Sequence, residues 1–231
     1  MRSRYRMLGC PASNIGRLAG LALLCAALHA CVTTPPEVME TTLTKGFIYS
    51  DGKQVYDIAD IRTDKPVALF LHGCAGFSGT RQFNIMNMID ERRFEIVAPD
   101  SFQRQRNRVT CRGQTLHLRD EDIAYALNRI RQVTSQPVVL VGFSEGGRAA
   151  ALYNGAVKVA GKAILAYDCH HGLAANAPLL NIQGRFDQEI RRGNDLCPTS
   201  NSHYVETGHD VSGPQAQKLL RDFMSEAVRR Q

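Results

Sequence analysis

The chain has 231 residues, 44% of them hydrophobic, and a formal net charge of +6. That content is ordinary for a globular protein and enough for one domain with a full core. Arg2, Arg4, Arg6 and Arg17 account for four of the positive charges, with no acid before residue 31. The remainder, at about +2, is too weakly basic to argue for nucleic-acid binding.

The arginine-bearing start leads into an apolar run, Leu18 to Leu28. A spanning helix needs about 20 such residues, so the run reads as the core of a secretory signal. Leu28-His29-Ala30-Cys31 resembles the lipobox of bacterial lipoproteins. That resemblance implies a signal peptide over 1–30, a lipid on Cys31, a proline-broken tether over 31–44 and a folded domain over 45–231. The expected location is the bacterial cell envelope, anchored to a membrane by lipid and facing the periplasm or the exterior. A secreted soluble protein cleaved nearby is the alternative. Cys10 and Cys25 then leave with the signal. Cys74, Cys111, Cys169 and Cys197 remain, an even set for an oxidising compartment, with all three pairings open.

Along the domain, Lys45–Ser50 and Val55–Ile61 flank Asp51-Gly52, a hairpin signal. Val67–Leu71 and Phe94–Ala98 read as buried strands, the second stopped by Pro99. Thr80–Arg92 has helical spacing between them. A polar loop over 101–118 precedes a helix over Asp120–Val133, with acids at its start where the helix dipole favours them. Val138–Val141 is a strand, Arg148–Ala156 a helix, and Ala163–Ala166, Leu179–Gln183 and His203–Glu206 are further strands. Pro214–Arg230 is the closing helix. Strands alternating with helices predict an α/β fold with a mostly parallel central sheet and helices on both faces.

The strand Val138–Val141 runs into Gly142-Phe143-Ser144-Glu145-Gly146 and then a helix. A Gly-x-Ser-x-Gly turn in that context exposes its serine as a nucleophile, and glycine is needed where a Cβ would clash. A nucleophilic serine needs a base and a carboxylate to orient that base. Asp187, past strand Leu179–Gln183, and His209, past the last strand, follow in the order serine, acid, base. Asp168 is a rival acid; His170 and His171 are rival bases. The oxyanion would take backbone N–H groups from Glu145 and, in the glycine-rich loop His72-Gly73-Cys74-Ala75-Gly76, from Cys74.

These pieces together resemble the dienelactone hydrolase family of α/β-hydrolases, in its secreted branch with a His-Gly-Cys-x-Gly loop. Further matches are Ala98-Pro99-Asp100-Ser101-Phe102, Ala166-Tyr167-Asp168-Cys169 and Gly184-Arg185-Phe186-Asp187. The resemblance implies a single α/β-hydrolase domain without a lid. It also implies hydrolysis of small carboxylic esters or lactones through an acyl-enzyme, with no metal or cofactor. Ser144 stands where the best-known members have cysteine, which points to an esterase-like branch. The resemblance further suggests bridges Cys169–Cys197 and Cys74–Cys111.

Asp168, Cys169, His170, His171, Cys197, His203 and His209 could be read as a zinc cluster. Adjacent Cys-His-His is poor ligand spacing, and no metal is expected. Arg104 and Arg106, in a run with Arg108 and Arg112, are candidates to face the cleft and hold a substrate carboxylate. A serine peptidase or amidase of the same fold, and a non-catalytic envelope module, are the competing functions.

Overall fold

Short apolar runs separated by amphipathic segments favour a sheet covered on both faces, and the chain builds one. The computed structural model describes residues 47–48, 54–55, 64–78, 80–101, 116–189 and 196–231. The described strands are β1 (Phe47–Ile48), β2 (Gln54–Val55), β3 (Val67–Leu71), β4 (Glu95–Pro99), β5 (Val138–Phe143), β6 (Gly161–Leu165), β7 (Leu179–Gly184) and β8 (Ser202–Val205). The α-helices are α1 (Thr80–Met86), α2 (Leu116–Val133), α3 (Glu145–Leu152) and α4 (Pro214–Arg229). The sheet order is β2-β1-β4-β3-β5-β6-β7-β8. Strands β4 to β8 in that order, with β3 among them, run parallel, and β1 and β2 add an antiparallel edge.

Alternate strand residues feed two cores. Phe70, Val141 and Leu165 pack with Met86 of α1 and Leu220 and Met224 of α4. Leu69, Val138 and Leu140 pack with Ile123 and Leu127 of α2 and Ala149 of α3. The described part of the domain carries no lid. No helix among the described residues is long and apolar enough to cross a membrane.

Several boundaries differ from the sequence reading. Helix α1 ends at Met86, because Met88 and Ile89 donate to carbonyls three residues back and the Asp90 side chain accepts the Arg92 N–H. An aspartate that bonds its own backbone favours a turn over a helix. Pro99 is the last residue of β4 rather than its stop, and it faces Phe47 across the antiparallel edge. Helix α2 begins at Leu116, so Asp120, Glu121 and Asp122 lie one turn inside it rather than at its start. Helix α3 begins directly after Ser144 and ends at Leu152. Strand β6 starts at Gly161 and ends before Ala166, whose φ of 52° leaves the extended region.

Strand β6 also holds Lys162, which has no exposed surface. Its Nζ donates to Tyr153 O at 2.5 Å and Ala174 O at 2.9 Å. The ammonium thus closes the end of α3 and a later loop onto the sheet. Burial pushes it down to about 8.

Candidate active site

The carboxyl ends of the parallel strands form one rim, where doubly wound sheets place their ligands. Ser144 follows β5 on that rim with φ 54° and ψ −116°, a backbone region non-glycine residues seldom enter. Two glycines make the turn fit. A Cβ on Gly142 would lie 2.1 Å from Gly146 O, and one on Gly146 would lie 2.0 Å from Leu71 O. The Ser144 amide donates to Leu165 O at 2.8 Å, fastening the turn to β6.

Ser144, His209 and Asp187 come together from three separate strand ends. The Asp187 carboxylate can only accept, so His209 Nδ1 donates to its Oδ2, at 2.8 Å. Nε2 then keeps its lone pair, and the Ser144 hydroxyl donates to it at 2.9 Å. Both His209 and Asp187 are buried. Phe143 packs its ring 5.2 Å from the imidazole centroid. Asp187 is held in turn: Gln183 Nε2 donates to Oδ2 at 3.1 Å, and the Glu189 amide donates to Oδ1 at 2.9 Å. The acid and histidine loops meet through their main chains, since a Cβ on Gly184 would lie 2.0 Å from Gly208 O.

The loop after β3 lies against the serine, with the space beside Gly73 closed by Ser144 Cβ at 3.3 Å. Gly73 N donates to Gln82 Oε1 at 2.9 Å. Buried His72 accepts from Ser101 N at Nε2, so its Nδ1 donates to Gly73 O at 2.7 Å. That use of both nitrogens makes His72 a brace for the loop. Cys74 is disulfide-bonded; Cys111, its suggested partner, lies outside the described residues. Glu145 opens α3, where a first-turn N–H has no carbonyl one turn back. Both oxygens of its side chain are buried without a hydrogen-bond partner.

The rival residues go elsewhere. Asp168 Oδ1 accepts the His170 N–H at 3.2 Å and meets His170 Nδ1, a pair closed within one turn. His203 sits in β8, its Nε2 against Asn201 Oδ1 at 2.8 Å. Cys169 and Cys197 are joined to each other, with Cα atoms 5.0 Å apart. This is the bridge the family resemblance suggests, and it removes both thiols from a zinc ligand set. Asn181 seats that bridge. Its Nδ2 donates to Ile164 O and Tyr167 O, and its Oδ1 accepts the Cys197 N–H. Cys31, Arg104 and Arg106 lie outside the described residues.

Sequence reasoning missed Gln82, Asn181, Gln183, Arg81 and Glu189. Asn181 and Gln183 left a trace: two amides at alternate positions of an otherwise apolar strand, which is buried from Leu180 onward. Arg81 and Glu189 left none. Arg81 Nη1 donates to Glu189 Oε1 at 2.6 Å, and Glu189 Oε2 lies 3.5 Å from His209 Nε2. The Glu189 carboxylate, with Asp210 and Asp187 beyond it, holds the guanidinium above its ordinary range.

No protein-family model and no curated protein matches the chain. Solved structures do match in fold. The mouse alpha/beta hydrolase domain-containing protein 10 aligns at a TM-score of 0.51 and 13% identity over 74% of this chain and 92% of that one. Est1E from Butyrivibrio proteoclasticus aligns at 0.52 and 12% identity, covering 73% and 90%. A structure from the work on LipS and LipT, two metagenome-derived lipolytic enzymes, aligns at 0.50 and 13% identity, covering 81% and 98%. At these identities the likeness establishes architecture: the chain has the α/β-hydrolase fold.

Proposed function

We propose that the chain is a serine hydrolase that cleaves small carboxylic esters or lactones through an acyl-enzyme. The observation that carries this reading is the continuous hydrogen-bonded path from Ser144 Oγ through the His209 imidazole to the Asp187 carboxylate. His209 Nε2 takes the serine proton as Oγ attacks the carbonyl carbon. The resulting oxyanion receives the Glu145 N–H and the Cys74 N–H, each worth about 3 kcal/mol of barrier. Asp187 keeps Nδ1 protonated and stabilises the imidazolium. The imidazolium then returns its proton to the leaving alcohol as the acyl C–O bond breaks. Water, deprotonated by His209, releases the acid.

The lipolytic neighbour supports ester chemistry on small substrates. The dienelactone hydrolase-like branch is part of the proposal and rests on the sequence motifs. So does a lipid anchor on Cys31 at the bacterial envelope, which the Cys169–Cys197 bridge supports by fitting an oxidising compartment. Labelled fatty acid should enter the wild type and not a Cys31→Ser variant.

Ser144→Ala is the direct test. The wild type should react with a fluorophosphonate probe at Ser144 and hydrolyse a short p-nitrophenyl ester faster than a matched peptide anilide. The variant should do neither. Unchanged turnover in Ser144→Ala removes Ser144 as nucleophile, and an anilide preferred over the ester favours an amidase instead.

A further inference from the structure

The proton path has a third neighbour. His209 Nε2 faces Ser144 Oγ at 2.9 Å and Glu189 Oε2 at 3.5 Å. Two contacts place Glu189 there. Its backbone N–H is tied to Asp187 Oδ1, and its other oxygen accepts from Arg81 Nη1 at 2.6 Å. Arg81 belongs to α1, the helix whose Gln82 holds Gly73 beside the serine. The ion pair therefore links the element behind the oxyanion loop with the loop that carries the acid, alongside the atom that moves the proton.

We propose that Glu189 is the specificity-determining residue on the leaving-group side, favouring esters whose alcohol carries a cationic or hydrogen-bond-donating group, with Arg81 as its counter-ion. The inference rests on the ester-hydrolase reading above. In that reading Nε2 hands its proton to the leaving oxygen, which must come within about 3 Å of it. A carboxylate oxygen 3.5 Å from the same nitrogen then lies within reach of whatever the leaving oxygen bears. A cation there gains a carboxylate contact, and an anion there meets repulsion. Arg81 has Glu189, Asp210 and Asp187 as its charged neighbours, and of these Glu189 lies beside His209 Nε2. The balance is negative with His209 neutral. Arg81 damps the effect without reversing it, because it engages Oε1 and leaves Oε2 toward the site. Both partners are about half exposed, at 52% and 53%. Such a pair separates at little cost, so a substrate can open it on entry.

The test uses acetate esters of choline, of its uncharged carbon isostere and of glycolate, at low ionic strength, with kcat/KM measured for each. The wild type should prefer the choline ester over the isostere and the isostere over the glycolate ester. Glu189→Gln should cut the choline-to-glycolate ratio about thirtyfold, because the two alcohols differ by two unit charges and each interacts across about 4 Å in a largely solvated site. Arg81→Gln should raise the same ratio, a shift opposite in sign that loss of structure would not produce. High salt should flatten the wild-type preference. A ratio that stays fixed in both variants, or moves the same way in both, overturns the proposal while leaving ester hydrolysis intact. A wild type that turns over none of the three esters and no short aryl ester overturns the hydrolase reading, and this preference with it.

Discussion

Two aspartates stand beyond neighbouring strands, Asp168 after β6 and Asp187 after β7; each pairs with a histidine, and only the second pair reaches a serine. Asp168 and His170 are two residues apart, and the carboxylate also accepts the His170 N–H, so the pair is a feature of its own turn. The His170 side chain is 42% exposed. Asp187 and His209 are 22 residues apart, meet only because β7 and β8 pair, and bury the imidazole beneath Phe143 and Ser144. Nearness in sequence makes a turn; a path for a proton needs strand ends brought together by the sheet. The same two residue types therefore take a local structural role in one place and a long-range one in the other.

Four measurements would break or sharpen that contrast. The largest effect belongs to the histidines: His209→Ala should lower ester turnover about 10⁴–10⁶-fold, whereas His170→Ala should stay within about threefold of the wild type. Equal losses in both would end the distinction. Next come the acids. Asp187→Asn should cost about 10⁴-fold in kcat through the wrong imidazole tautomer. Asp168→Ala should leave turnover near the wild type but lower unfolding stability by about 1–3 kcal/mol, since it strips a buried acceptor from its turn. Third, the Cys169–Cys197 bridge spans a separation of 28 residues beside the Asp168 turn. Its removal as Cys169→Ser with Cys197→Ser should cost about 3–4 kcal/mol in denaturant unfolding, with activity kept under conditions where the variant is folded.

The smallest effect is a slope with pH. Lys162 sits inside β6, and its folded value near 8 lies below the ordinary lysine value. Between pH 8 and 10 the unfolded chain therefore binds more protons at this residue than the folded one, and stability rises with pH. The gain has an upper limit of about 1.4 kcal/mol for each pH unit in that window. Past pH 10, Tyr153 and Tyr167, whose phenols burial pushes up, act in the opposite direction. Melting temperature should climb over that window in the wild type and not in Lys162→Met. A flat profile in the wild type would show that the ammonium is already matched by its two carbonyls.

What could be read from the residues follows the same division. Val67–Leu71 coincides with β3, and the elbow at Ser144 was legible because glycine spacing, strand and helix are all local. The order of serine, acid and histidine was legible because each follows a strand. The partition between Asp187 and Asp168 was only weakly so, since both residues occupy equivalent sites past strands. Lys162 was hidden by its neighbours: a lysine amid Ala163 and Ile164 reads as a strand edge, and only the carbonyls of Tyr153 and Ala174 explain it. Arg81 and Glu189 are 108 residues apart, and no local pattern connects two exposed charges at that distance.

The contact between Gly184 and Gly208 has a consequence for how such a chain varies over generations. Backbone touching backbone sets the acid and the base in register, so that register does not depend on which side chains surround it. Arg81 and Glu189, by contrast, meet through exposed side chains. A saturation library at positions 81 and 189 should return mostly folded, probe-reactive members with altered leaving-group preference. A library at position 184 should return almost none but glycine. Substrate range can thus be inherited in small, separately viable steps while the reaction itself is passed on whole.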